Sequence, residues 1–237
     1  MRAVILAGGR GTRLRPYTTV LPKPLVPVGE RPILERILHQ LRAAGFDSAE
    51  LCVGHLGGLI RSYFDESGAC PDGMNLSYHW EEEPLGTAGA LRLIEPPRDD
   101  FLVMNGDILT TLGYGELMRF HAQNGAALTI ATHEKNVELA LGVIEGEEGV
   151  VTGYVEKPTL HYEVSMGIYV YSPEALEHIP EGHFDFPELV LALVAAGKEV
   201  RTYHFDGLWY DIGTAAEHER AVLAFEQDSA LFEPDGP

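Results

Sequence analysis

A chain of 237 residues, 45% hydrophobic and 22% charged, is long enough to bury a substantial core and has the make-up of an ordinary globular protein. Its 36 acidic and 17 basic residues give a formal charge of −19, which argues against nucleic acid or an anionic membrane surface as a partner, since both bind basic faces. No stretch approaches the ~20 apolar residues of a membrane span. The opening apolar run is too short for a signal-peptide core, and Cys52 and Cys70 show neither CxxC nor metal spacing. A reduced, cytoplasmic protein is expected.

Short apolar runs bounded by turn residues predict strands at 3–6, 50–53, 76–79, 101–104, 128–132, 141–145, 151–155, 167–171 and 200–205. Helical spacing is clearest over 32–45, where Ile33, Ile37, Leu38 and Leu41 form one stripe, Pro32 suits the first turn and Gly45 follows the last. The segments 117–125 and 186–197 also end in glycine, and 214–227 opens on a threonine suited to capping. Alternation of strand and helix through residue 130 predicts an α/β fold with a doubly wound, mostly parallel mixed sheet. The crowded strands that follow predict an added antiparallel region, with Gly146-Glu-Glu-Gly149 as a hairpin turn. Without repeats or a linker, residues 1–229 are expected to form a single domain and 230–237 a loose tail.

The first strand runs directly into Leu6-Ala-Gly-Gly-Arg-Gly-Thr-Arg-Leu-Arg-Pro16. Three glycines in four residues let backbone approach a ligand closely and turn N–H groups inward, which suits phosphate. Arg10, Arg13, Arg15 and Lys23 surround the turn, and residues 1–29 hold no acid at all. A local reversal of sign in so acidic a chain points to a polyanion site. The spacing is neither the G-x-G-x-x-G of a dinucleotide fold nor a P-loop.

Together with Pro22-Lys-Pro-Leu-Val-Pro-Val28, this segment resembles the signature of the sugar-1-phosphate nucleotidyltransferases, G-G-x-G-T-R-L followed by P-K-P. The resemblance covers the whole chain in order and is closest to the mannose-1-phosphate guanylyltransferase branch. It implies a Rossmann-like nucleotidyltransferase core with a sugar-binding antiparallel region, acting on a nucleoside triphosphate and a sugar 1-phosphate. Leu6, Ala7, Gly8, Gly9, Gly11 and Thr12 are then expected to cradle the nucleotide. Arg13 is expected to hold the departing pyrophosphate and Lys23 to reach the phosphates, these two being the catalytic candidates.

Asp107 ends the apolar strand 101–106, and an acid at the carboxyl end of a parallel strand faces the ligand crevice. On its own it is equally a turn-forming Asp, and Asp211 in Trp209-Tyr-Asp-Ile-Gly-Thr214 is equally a buried hydrogen-bonding residue. The resemblance makes both of them ligands of Mg²⁺, which favours carboxylate and phosphate oxygens. It also turns the acidic run Glu81-Glu-Glu-Pro-Leu-Gly-Thr-Ala-Gly89 into a base-recognition loop, with Glu82, Pro84, Gly86 and Thr87 on the nucleotide. Glu82 or Glu83 is expected to read a guanine edge. For the sugar phosphate it implies Gly142, Glu156, Lys157 and Ser165, the last where the family usually carries asparagine. The ten histidines are scattered and receive no role.

The implied reaction is in-line attack of the sugar-1-phosphate oxygen on the α-phosphorus, with GTP and a mannose- or manno-heptose-type sugar as first choice. UTP, CTP or TTP with a glucose-type sugar is the alternative. A non-catalytic nucleotide-sugar sensor is the rival from another class, and a glycosyltransferase on a related α/β core is the other, although such enzymes usually rely on a D-x-D metal motif and lack the G-G-x-G-T-R loop. The sequence leaves room for a homo-oligomer.

Overall fold

A computed structural model of the chain describes residues 1–233. The first half contains β1 (Arg2–Ala7), β2 (Pro27–Val28), β3 (Arg31–Pro32), α1 (Ile33–Ala43), β4 (Ser48–Val53), α2 (Gly57–Ser67), β5 (Asn75–Trp80), α3 (Gly86–Gly89) and β6 (Phe101–Asn105). The second half adds β7 (Ile108–Thr110), α4 (Tyr114–Asn124), β8 (Leu128–Glu138), β9 (Val143–Glu147), β10 (Val150–Val155) and β11 (Thr159–Tyr171). It closes with α5 (Phe186–Ala195), β12 (Val200–His204), β13 (Trp209–Asp211) and α6 (Ala215–Gln227).

Seven strands form the central sheet in the order β12-β8-β11-β6-β1-β4-β5. All neighbours run parallel except β11, which is antiparallel to both β6 and β8. Strand periodicity of two divides the interior into two cores, one on each face. Ala3, Ile5, Leu51, Leu102 and Met104 join α1, α2 and α4 on one side. Val4, Cys52, Phe101, Val103 and Tyr169 join α3 and α5 on the other. The doubly wound, mostly parallel architecture follows from that alternation, because each buried strand needs an apolar cover on both faces.

Helix α2 is absent from the sequence prediction. It opens after Leu56, held in the left-handed region at φ 58 at the capping position, where its apolar side chain cannot cap, and continues through Gly57-Gly58, so the start signal is missing. Its buried Ile60 and Phe64 stand one turn apart and Gly68, at φ 71, ends it.

Strands β8 and β11 are longer than their apolar runs. Beyond the sheet they continue as a two-stranded ribbon, pairing Thr159 with Glu138 through Ser165 with Thr132. On the β8 side Thr132, His133, Glu134, Lys135 and Asn136 carry no apolar alternation, so this extension is invisible to patterning, whereas on the β11 side Leu160, Tyr162 and Val164 alternate with polar residues, a strand signal the prediction misses. The hairpin β9–β10 rises from it, and its turn uses Glu148 and Gly149 at φ 50 and 85, the left-handed pair of a two-residue hairpin turn.

The expected loose tail is corrected over residues 230–233. Ser229–Leu231 form a 3-10 turn and Phe232 is 1% exposed. Its ring packs near Phe225 and Tyr210, and the Gln40 amide donates to its carbonyl at 2.7 Å. Arg36 stacks its guanidinium on Phe225 and pairs with Glu233 at 3.0 Å. An aromatic residue just past a helix end buries itself when a neighbouring surface offers an apolar slot, and composition does not reveal that slot. The remainder of the expected tail, 234–237, lies outside the described residues.

Candidate active site

Strand β1 is hydrogen-bonded on both sides, to β4 and to β6, and releases the glycine turn at the carboxyl edge of the parallel strands. Ligands of open α/β sheets bind in this crevice. Gly11 sits at φ 57, and a side chain there would press on Thr18 and Lys23. The Thr18 hydroxyl donates to the Gly11 carbonyl at 2.6 Å and the Leu14 N–H to the same oxygen at 2.9 Å, which fixes the turn. At Gly8 a side chain would collide with the Glu81 carboxylate. At Gly11 the left-handed backbone and the close neighbours call for glycine, while at Gly8 a side chain would displace the Glu81 carboxylate.

Lys23, between Pro22 and Pro24, opens a 3-10 turn and is only 14% exposed. Its ammonium pairs with Asp107 and lies 3.9 Å from Asp211 Oδ1. The two carboxylates, far apart in sequence, are joined by the small ribbon β7–β13, in which Asp211 faces Ile108 and the Ile212 N–H donates to the Asp107 carbonyl at 3.0 Å. Asp107 Oδ1 is buried without a hydrogen-bond partner among the described residues. Burial, and next the Asp107 charge, push the Asp211 carboxyl above its ordinary value, while Lys23 and Arg13 oppose the shift. Arg13 completes the group: its guanidinium rests against Gly213, where a Cβ would come within 3.4 Å of it.

A cavity of about 450 Å³ opens onto this group. Leu6, Ala7, Gly8, Gly9, Gly11 and Thr12 line it on the β1 side, with Arg10, Arg13, Lys23 and Asp107. Pro84, Gly86 and Thr87 line it opposite. Glu82 does not. Glu81 takes the place expected of it, while Glu82 and Glu83 are exposed. The Glu81 N–H continues the sheet by donating to the Val53 carbonyl at 2.8 Å, and its Oε2 accepts from the Leu85 N–H at 3.1 Å. That second bond folds the carboxylate back over Gly8, a reversal three consecutive glutamates do not announce.

The 84–89 loop is strapped to the start of α5. Asp185 Oδ1 accepts from the Thr87 N–H and hydroxyl at 3.0 and 3.2 Å, and the Phe184 carbonyl accepts from Ala88 and Gly89. His183, given no role by sequence, lines the cavity from this strap, and Asn105 at the end of β6 and Gly213 after β13 also line it.

The four residues expected around the sugar do not line the cavity. Gly142, Glu156 and Lys157 belong to the hairpin, where Tyr154 brings the first two together: its ring lies against Gly142 and its hydroxyl donates to Glu156 at 3.0 Å. Lys157 pairs only with Glu156, at 3.9 Å, and both are exposed. Ser165 turns its hydroxyl to Tyr169 at 3.2 Å and accepts from the Gly167 N–H.

A family model described as nucleotidyl transferase matches residues 2–228. The chain belongs to this family. A UTP–glucose-1-phosphate uridylyltransferase of Synechocystis is 34% identical over 94% of this chain and 62% of its own length. The mannose-1-phosphate guanylyltransferase catalytic subunit beta of Xenopus tropicalis is also 34% identical, over 99% of this chain and 67% of its own length. The chain therefore spans about three-fifths to two-thirds of these curated relatives. Among solved structures, HddC from Yersinia pseudotuberculosis complexed with GMP-PN aligns with a TM-score of 0.71 and 27% identity, covering 94% of this nucleotidyl transferase chain and 99% of HddC. Among the described residues no helix is long and apolar enough to cross a membrane.

Proposed function

We propose that this chain transfers a nucleoside monophosphate from a nucleoside triphosphate to a sugar 1-phosphate, releasing pyrophosphate. The observation that carries the reading is a cavity lined by an acid-free, glycine-rich basic segment and by Asp107, with Asp211 held beside Asp107 through Lys23 and the β7–β13 ribbon. Relatives named for this chemistry support it from both the uridylyl and the guanylyl side.

The sugar phosphate is already an anion at neutral pH, so its oxygen attacks the α-phosphorus without a general base. What the chain must supply is positioning and charge compensation. Gly8, Gly9 and Gly11 bring backbone close to the phosphates, and Arg13 offsets charge that builds on the departing pyrophosphate. Lys23, tethered between Asp107 and Asp211, directs its charge at the α-phosphate. Mg²⁺ fits the same pair, because Asp107 presents a buried oxygen without a partner and the carboxylates are hard oxygen donors. When bound, it supplies Lewis-acid neutralisation of phosphate charge.

For the base we favour guanine. One Glu81 oxygen is held by Leu85, which leaves the other over Gly8 as an acceptor. Guanine offers adjacent N–H donors on its pairing edge, whereas adenine offers an acceptor at the corresponding ring nitrogen and uracil flanks its single N–H with two carbonyls. A carboxylate accepts from the first and repels the others. The guanylyl relatives and the GMP-PN complex of HddC agree with that preference, and a mannose-type sugar goes with it. UTP with a glucose-type sugar is the second reading, favoured by the Synechocystis relative.

A matrix of five triphosphates against mannose and glucose 1-phosphates, scored by pyrophosphate release, tests all of this. Highest turnover is expected with GTP and mannose 1-phosphate. Faster reaction with UTP and glucose 1-phosphate transfers the assignment to the second reading, and no pyrophosphate from any pair favours a nucleotide-sugar sensor.

A further inference from the structure

We infer that Asn105 is a specificity-determining residue that reads hydroxyl groups of the sugar 1-phosphate, an inference that rests on the transferase reading above. Asn105 is the last residue of β6 and pairs with Leu6 of β1. Residues 101, 103 and 105 share a face of the strand, so its side chain emerges on the side where Phe101 and Val103 enter the α3–α5 core. There it lines the cavity, half-buried. Its carboxamide makes no hydrogen bond to any described residue.

The neighbouring strand of the sheet explains why. Strand β11 breaks register against β8 between Ser165 and Tyr169, and Gly167 lies buried in that break at φ 74. A Cβ on Gly167 would stand 2.6 Å from the Asn105 amide, so glycine there makes room for the carboxamide. Irregular strand pairing of this kind recurs beside active sites, where it re-aims side chains. Ser165 and Tyr169, the nearest polar side chains of β11, bond to each other at 3.2 Å and leave Asn105 unpaired.

A half-buried amide without a protein partner is left to water or to a ligand, and this one faces the cavity. Its chemistry is two donors and one acceptor without charge, which complements a hydroxyl pair better than a phosphate. Vicinal hydroxyls come from two sources, the ribose of the nucleotide and the transferred sugar. Placement favours the sugar: the other residues expected on the nucleotide lie on β1 and on the loop after β5, whereas Asn105 abuts the register break of β11 that follows Ser165, a residue expected on the sugar phosphate.

The test compares Asn105→Leu, similar in shape but without polar atoms, with the unmodified chain, using pyrophosphate release. KM for the sugar 1-phosphate is expected to rise at least ~10-fold, with KM for the triphosphate changed less than about twofold. Deoxy-sugar 1-phosphates should be poor substrates for the unmodified chain at one hydroxyl position, and the variant should no longer distinguish that analogue from the parent. Loss of discrimination against 2′-deoxy or 3′-deoxy triphosphate instead would assign Asn105 to the ribose and overturn the inference. So would unchanged discrimination against every analogue. Asn105→Ser, smaller and polar, answers the same question if the leucine variant does not fold. Failure of the unmodified chain to release pyrophosphate with any pair refutes the transferase reading itself, a result distinct from a working enzyme indifferent to residue 105.

Discussion

The phosphate-facing region and the ribbon-hairpin region of this molecule are built on different principles. Arg13, Lys23, Asp107 and Asp211 hang from strands and tight turns anchored in the sheet, and Lys23 and Asp107 are largely buried. Gly142, Glu156 and Lys157 stand on a two-stranded hairpin that projects past the sheet, with its apolar Ile144, Val151 and Tyr154 each more than 60% exposed. Two strands without a covering layer are marginal on their own. Charge compensation needs fixed geometry in a low-dielectric setting, so it occupies the rigid part. Recognition elements tolerate, and often use, the more adaptable part.

The largest effect expected from breaking this comparison comes from outside both regions. Phe232 packs by Tyr210, next to Asp211, and Gln40 donates both to the Phe232 carbonyl and to Thr110 of β7. Phe232→Ala should cost roughly 3–5 kcal/mol in thermal or denaturant unfolding, the range for a deleted buried ring. A loss below about 1 kcal/mol would mean that the carboxylate ribbon does not lean on the C-terminal turn.

Within the anchored region, Arg13→Ala or Asp107→Ala is expected to slow pyrophosphate release by at least ~10²-fold, the scale of a lost oxyanion donor. EDTA should abolish the reaction and added Mg²⁺ restore it. Near-normal turnover of either variant, or indifference to the chelator, would detach these groups from the chemistry.

Glu81→Gln sharpens the boundary between neighbours in one acidic run. It should lower kcat/KM for GTP by about 10-fold through a lost charge-assisted hydrogen bond, while Glu82→Gln stays within about twofold. Equal effects at 81 and 82 would contradict the placement of the carboxylate over Gly8.

Smallest of all is Lys157→Ala on the hairpin. An exposed cation contributes little through solvent, so KM for the sugar 1-phosphate should rise no more than about fivefold, with the triphosphate KM unchanged. A drop on the scale of Arg13→Ala would show that the hairpin closes over the substrate and belongs with the rigid half.

Much of the fold is legible in the sequence, and the reason is visible element by element. The central strands β1, β4 and β6 announce themselves because both faces are buried, and α1 because Ile33, Ile37, Leu38 and Leu41 make one stripe. Signals fail where packing rather than pattern decides. Helix α2 starts on Gly57-Gly58 without a capping side chain, the β8 side of the ribbon is polar from Thr132 to Asn136, and the burial of Phe232 depends on a slot formed by Phe225 and Tyr210.

By itself the sequence determined the alternation of strands and helices, the sign reversal of residues 1–29 and the glycine turn that calls for close backbone approach, since these are properties of local chemistry. Only the tertiary structure decided which groups meet. It brought Asp107 to Asp211 through a short ribbon between segments distant in sequence, chose Glu81 over Glu82 by one hydrogen bond to Leu85, and left Asn105 unpaired beside Gly167. Side-chain direction and partner are set by packing across the crevice, and no run of consecutive residues encodes that contact.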